Sequence, residues 1–505
     1  MKGRALLGDG PTIAIAALLL MSRLMSGFLH LPSCADETFN YLEPLAYLDI
    51  GKGLQTWEYS PEFALRPWLF LEVFNFFMLP FSLHMLRVLS LHVGIALLWF
   101  QAELRVADAI YGREGLRMAN WYMMLSACSP GPLFAASQLL PSTSFAILQM
   151  WSVSYFLREK WGRAVGIGVA SCLLPGNPTV GLVYVPFLLQ CLRRGPLVRC
   201  LTSGVVVCCL CIVAMAWMDH RRYGSMTFSL YNWFKYNVID NHSGRFGSSP
   251  LWYYAANFVL NFPLAAPLAV WGWLKIRGSL TTVATYWIFW LCLFTLQPHK
   301  EERFMVPMYC GVLICAAYGA CQTRGALRFV MLVAGVTGCL TGLSRISQLL
   351  HGSYLGIRDV WTEIAVEGSP GVYCLGLTWY RYPSSFYLPP EATVAFVDED
   401  FGGLLPAPFA STNSSMPAND RNEKREDRLV NLENCDYLVD ITPSFQLSQP
   451  LKRFRPLIPV TRKMSVERCG YLLDRERSAG FQKYFLLPHS PDENWYHAYC
   501  QWRLH

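Results

Sequence analysis

The chain has 505 residues, of which 53% are hydrophobic and only 15% charged, whereas a typical soluble domain is about a quarter charged. Such a composition excludes an ordinary soluble enzyme and implies a polytopic membrane protein. The net charge of +7 does not point to nucleic acid, because the Lys and Arg residues sit mostly in short loops between apolar segments, where they set topology.

Lys2 and Arg4 precede the first apolar segment, Thr12–His30, which reads as a retained signal-anchor helix with a cytosolic N-terminus. Leu31–Arg66 then falls on the luminal side. It carries the adjacent acids Asp36 and Glu37, placed where a helix leaves the bilayer. Carboxylates so close to a membrane are costly unless solvated, paired or used. Phe39, Tyr41 and Trp57 beside them suit a headgroup layer or a sugar ring. Acids in this position would equally stabilise the start of a luminal helix.

Pro67–Leu83 is short, contains Glu72 and Asn75 and is interrupted by Pro80, so it is expected to lie in the interface. Spans follow at about His84–Gln101, Met118–Ser137, Ser142–Leu157, Ala164–Pro175, Thr179–Cys191, Leu197–Met218, Leu251–Trp273, Thr281–Gln297, Met305–Ala320 and Leu327–Leu343. With that parity the loops holding Arg105, Arg113 and Arg117, Arg158, Lys160 and Arg163, Arg193, Arg194 and Arg199, Lys275 and Arg277, and Arg324 and Arg328 are all cytosolic. The expectation is an all-α polytopic domain over residues 1–343 with about eleven spans, followed by a luminal α/β domain over 344–505. Asp219–Pro250, rich in aromatics, falls on the luminal side with the sequons Asn241-His-Ser243 and Asn413-Ser-Ser415.

A second polar island, His299-Lys-Glu-Glu-Arg-Phe304, separates two apolar spans on the same side. Its basic residues His299, Lys300 and Arg303 are suited to a phosphate. Snorkelling into lipid headgroups is the plainer use of such charges, but five consecutive ionisable residues exceed what a loop needs.

In the C-terminal third, Thr393-Val-Ala-Phe-Val397 and Asp436-Tyr-Leu-Val-Asp-Ile441 have the alternation of strands. Ser411–Arg428 is polar and reads as a loop. Cys374, Cys435, Cys469 and Cys500 could pair in an oxidising lumen. Asp398-Glu-Asp400 follows a strand and precedes Phe401-Gly-Gly403, which favours a turn with acidic caps over a metal site. A transporter is disfavoured, since no internal repeat is visible and the acids lie at the surface rather than at mid-bilayer.

Asp36-Glu-Thr-Phe-Asn-Tyr-Leu-Glu-Pro44, Gly53-Leu-Gln-Thr-Trp-Glu-Tyr-Ser-Pro61 and His299-Lys-Glu-Glu-Arg-Phe304 resemble glycosyltransferase family 22. Its members are GT-C-fold mannosyltransferases of the endoplasmic reticulum that use dolichyl-phosphate mannose. Within it, Trp379-Tyr-Arg-Tyr-Pro-Ser-Ser-Phe-Tyr-Leu388, Phe401-Gly-Gly-Leu-Leu-Pro406 and Cys435-Asp-Tyr-Leu-Val-Asp440 are similar to the branch that adds α-1,2-linked mannose to lipid-linked oligosaccharide. The branch acting on glycosylphosphatidylinositol fits less well after Asp36-Glu37. Phe246-Gly-Ser-Ser-Pro-Leu-Trp-Tyr-Tyr254 departs from the family pattern, which has an acid or His there.

The resemblance implies an inverting transfer in the lumen. Asp36 would be the base, with Glu37 beside it. His299, Lys300 and Arg303 would hold the donor phosphate. Glu43, Trp57, Glu58, Tyr59, Glu301, Glu302, Trp252 and Tyr253 would contact substrate. The implied partners are dolichyl-phosphate mannose, a dolichyl-diphosphate oligosaccharide acceptor and membrane lipid, with neither a cofactor nor a metal.

Overall fold

The computed structural model describes residues 6–30, 34–240, 247–278, 280–399, 401–409, 419–446, 455–457, 460, 462–478, 483–485 and 495–505. Both sequons lie outside the described residues, as do Asp400 and residues 411–418 of the expected loop 411–428. The chain forms two compact units. One comprises Met1–His30, Ala64–Val73 and His92–Leu343, and the other Leu31–Phe63, Phe74–Leu91 and Ser344–His505. Residues 31–63 thus belong with the C-terminal third rather than with the helical unit.

The first unit is helical. Gly10–Phe28, His84–Glu114, Leu197–Tyr223 and the continuous segment Glu302–Gln322 are long and apolar enough to cross a membrane. On Leu197–Tyr223 the apolar side chains Val205, Leu210 and Val213 are more than half exposed, as a lipid-facing stripe requires. The expected span Leu251–Trp273 is not one straight helix. It is two, Tyr253–Asn261 and Ala265–Lys275, bent by 104°, because Pro263 has no amide hydrogen to carry the ladder onward. Met118–Ser137 likewise breaks at Ser129-Pro130 into Leu116–Cys128 and Pro130–Ala135. Trp68–Phe77, within the segment expected at the interface, has 10 residues and is too short to cross.

Helix Ala265–Lys275 and helix Tyr309–Gln322 approach backbone to backbone: a Cβ at Gly272 would lie 1.9 Å from the Cys315 carbonyl oxygen. Small residues permit that approach where no hydrophobic driving force separates helix from lipid. Arg23, at 0% exposure, is clamped to Glu103 through two bonds of 2.9 Å. Ser126 Oγ accepts from Arg23 at 2.7 Å and donates to Glu103 at 2.5 Å. Asp219, expected in a polar luminal loop, instead lies fully buried near the end of the helix Leu197–Tyr223. It accepts from the Trp68 and Ser229 amides and, at 2.5 Å, from the Ser229 hydroxyl.

The second unit holds a mixed sheet. Strands β2 (Val372–Leu375), β3 (Thr393–Phe396), β5 (Tyr437–Ile441), β6 (Phe445–Gln446), β7 (Met464–Leu473) and β8 (Trp495–Leu504) make six strands: β3, β2, β5, β8 and β7 follow one another across the sheet, and the short β6 pairs with the same edge of β8 as β5. β2 is parallel to β3 and β5, and β8 is antiparallel to its neighbours. The strand reading of 393–397 and 436–441 is thereby realised. Disulfides join Cys374 to Cys435 and Cys469 to Cys500, the second linking directly opposed residues of β7 and β8. A short ribbon pairs β1 (Leu54–Gln55) with β4 (Ala407–Pro408). Arg87 forks onto Asp49 at 2.9 and 3.0 Å, fixing Phe74–Leu91 in the same unit.

Candidate active site

Asp36 and Glu37 occupy a single helical turn, Ala35–Glu37, which widens at once into the π-helix Thr38–Leu42 before the α-helix Glu43–Ile50. Single π turns of this kind recur at functional sites because they re-aim side chains. The Asp36 carboxylate is half-buried and accepts from Asn40 Nδ2 at 2.5 Å. Asn40 is itself fixed on both sides: its Oδ1 accepts from the Thr56 hydroxyl at 2.6 Å, and its carbonyl accepts from the Tyr59 hydroxyl at 2.8 Å. An ordered relay, Thr56 to Asn40 to Asp36, thus sets the direction of one carboxylate. Glu37 is completely buried.

Two expected substrate contacts, Glu43 and Tyr59, have their polar atoms committed to the protein. Glu43 is fully buried and accepts four hydrogen bonds, from the Leu54 amide, the Ser385 amide and the hydroxyls of Ser384 and Ser385, at 2.5–3.0 Å. Its oxygens are occupied by the protein, and burial raises its pKa above the usual carboxylate value. Gly53 makes the approach possible, since a Cβ there would lie 2.2 Å from the Glu43 carbonyl oxygen. Tyr59 is 2% exposed, with its hydroxyl committed to Asn40. Trp57 and Glu58, on the same 3₁₀ turn, stay half-buried, and Trp57 meets Phe63 edge to face.

In the second island, Lys300, expected to hold the donor phosphate, is likewise committed to the protein. It is 5% exposed, and its ammonium donates to the carbonyls of Gln297 at 2.5 Å and Ser249 at 3.1 Å. It locks the loop, and the Ser249 amide returns a bond to the Pro298 carbonyl at 2.9 Å. The stretch that departs from the family pattern thus anchors the island through the backbone of Ser249. Glu301 sits between the two remaining cations, accepting from His299 Nε2 at 3.0 Å and from Arg303 Nη2 at 2.8 Å. The bond to Glu301 raises the His299 pKa, against a smaller lowering by burial. Glu302 is exposed and accepts from Asn261 Nδ2 at 2.8 Å. Trp252 is 67% exposed and Tyr253 half-buried, at the start of the helix that ends in Asn261. His299, Glu301 and Arg303 together carry one net positive charge when His299 is protonated.

Residues 14–389 match the model of the Alg9-like mannosyltransferase family. The chain belongs to that family. Among curated members it is 30% identical to the mouse α-1,2-mannosyltransferase ALG9 over 84% of this chain and 78% of that one. It is also 30% identical to the Arabidopsis thaliana ALG9, over 95% and 88% respectively. Among solved structures, ArnT from Cupriavidus metallidurans bound to undecaprenyl phosphate superposes with a TM-score of 0.57 at 14% identity, covering 77% of this chain and 86% of that one. At that identity the likeness shows a shared fold with that protein. As an Alg9-like mannosyltransferase, the chain makes Asp36 the carboxylate to ask about first. Sequence reasoning found that acid but missed Asn40 and Thr56. Each stands inside a quoted motif, yet only the wide helical turn brings Asn40 onto Asp36.

Proposed function

We propose that the chain transfers mannose in α-1,2 linkage from dolichyl-phosphate mannose to a dolichyl-diphosphate oligosaccharide in the lumen of the endoplasmic reticulum. Family membership sets the reaction class, and the observation that carries the mechanism is the Asp36 carboxylate oriented by Asn40. A β-linked donor and an α-linked product require one in-line displacement. Asp36 removes the proton from the acceptor hydroxyl as its oxygen attacks the anomeric carbon, and the bond to the lipid phosphate breaks. His299 and Arg303 meet the charge that grows on the leaving phosphate. A leaving monophosphate carries less charge than a diphosphate, so protein cations suffice and the reading invokes no metal. The ArnT structure holding a polyprenyl phosphate supports a lipid-phosphate donor for this fold. The two disulfides support an oxidising compartment for residues 344–505.

The test is purified full-length protein given dolichyl-phosphate mannose and defined lipid-linked glycans. Transfer is expected, with the new mannose removable by an α-1,2-specific mannosidase. No transfer to any such acceptor overturns the reading. A glycosylation reporter fused after His505 should be modified, whereas an unmodified reporter on inserted protein would reverse the topology.

A further inference from the structure

The helical unit carries a polar stripe that the mechanism has not used. In helix Tyr253–Asn261 the residues Tyr253, Asn257 and Asn261 stand four apart and so share a face. Val259, on the opposite side, is 58% exposed, as a lipid-facing residue is. Amides on the protein side of such a helix are costly unless each finds a partner there.

Asn261 has its partner. It is buried, and its Nδ2 donates to Glu302 Oε1 at 2.8 Å and lies 3.5 Å from the Tyr309 hydroxyl. Tyr309 is buried in turn and meets Phe262 edge to face at 4.8 Å. The helix stops at Asn261 because Pro263 breaks it, and the break delivers this amide to the second island. Glu302 itself is exposed. A buried amide therefore holds an exposed carboxylate in one direction, as Asn40 holds Asp36 in the other unit.

Asn257 differs. Its Nδ2 is enclosed, yet no hydrogen-bond partner for it stands among the described residues. Tyr253 lies against Asn257 and near the carboxylates of Glu301 and Glu302. The stripe thus offers a fixed acceptor, an unfilled donor and a phenol, directly beside Arg303 in the chain.

That set suits a polyol, whose hydroxyls donate to a carboxylate and accept from an amide at the same time. The two carboxylates disfavour a further phosphate, and the enclosed amide disfavours a lipid tail. We propose that Glu302, Asn257 and Tyr253 bind the hydroxyls of the mannosyl group on the donor, with Asn261 as the residue that positions Glu302. His299 and Arg303 then hold the phosphate, while the stripe recognises the sugar. The proposal rests on the transferase reading for the identity of that sugar.

Binding to the full-length protein in detergent, measured without acceptor, tests it. Wild type should bind dolichyl-phosphate mannose more tightly than dolichyl phosphate, which lacks the sugar. Glu302→Gln and Asn257→Leu should each weaken binding of the mannosylated lipid by about tenfold, the loss of one polar contact, and leave dolichyl phosphate unchanged. Asn261→Ala should show the same split, whereas a merely structural role would lower the melting temperature and weaken both lipids alike. Arg303→Lys should weaken both, since it touches the phosphate. If Asn257→Leu fails to fold, the isosteric Glu302→Gln decides. Equal affinity of wild type for the two lipids, or a Glu302→Gln protein that shifts both lipids alike or neither, overturns the sugar site. Mannose transfer by the wild type would then still uphold the transferase reading. A wild type that transfers nothing but keeps a Glu302-dependent preference for the mannosylated lipid sinks the transferase reading and keeps the site.

Discussion

Asn40 Nδ2 and Asp36 Oδ1 are 2.5 Å apart, joined across the junction of an α turn and a π turn. The bond sets the orientation of the Asp36 carboxylate by geometry rather than by chance rotation. Asp36→Asn keeps the shape and removes the basicity. Its kcat should fall by about 10²–10⁴-fold, the usual contribution of a general base, with the melting temperature of the detergent-solubilised protein close to wild type. Turnover at even a third of the wild-type rate would move the base elsewhere, with Glu37 next to test.

Asn40→Ala removes the donor that orients Asp36 but leaves the carboxylate. The expected result is a drop in kcat of about tenfold with little change in donor KM, because mispositioning is felt in the transition state. Thr56→Ala, one bond further out, should act in the same direction and more weakly. A purely structural role for Asn40 would lower the melting temperature and spare kcat.

Glu43→Ala tests the reassignment of that residue. Four donors would lose their buried acceptor, which costs about 1–3 kcal/mol per unsatisfied group, so the melting temperature should fall clearly. The acceptor KM of whatever protein remains folded should not move. A changed KM with unchanged stability would restore the substrate role.

The pH dependence follows from Glu301. Its bond raises the His299 pKa, so the imidazolium persists to higher pH than that of an ordinary histidine and is lost as pH rises through the raised value. Glu301→Gln lowers that pKa. The alkaline limb of the kcat/KM profile for donor should therefore shift to lower pH. Arg303→Lys, which loses the planar fork, should raise the donor KM without moving that limb.

Arg23 and Glu103 form a fully buried pair in the helical unit. Arg23→Ala leaves an uncompensated buried carboxylate and should destabilise by about 3–5 kcal/mol. Pairing Arg23→Met with Glu103→Leu should recover most of that loss. Equal melting temperatures for the single and double variants would refute the pairing argument.

Much of this was legible in the chain itself, and the misses share a cause. Apolar length gave the long helices of the first unit, because it depends on local composition alone. Alternation gave β3 and β5 for the same reason. What failed was whatever depends on partners far apart in sequence. Glu43 looked like a substrate ligand because nothing near it shows that Ser384 and Ser385 will occupy its oxygens. Lys300 looked like a phosphate ligand because its acceptors are backbone carbonyls, which leave no trace in residue identity. The 104° bend was signalled by Pro263, but a proline in an apolar run marks a break without giving its angle.

Strand β8 lies between β5 and β7, and Cys469 pairs with Cys500 across the β7–β8 ladder. The sheet can therefore close only once residues 495–504 are in place; without them β5 and β7 lack the strand that pairs them, and the Cys469 thiol lacks its partner. Reduction would cut the one covalent tie between β7 and β8 and leave their register to the backbone ladder alone.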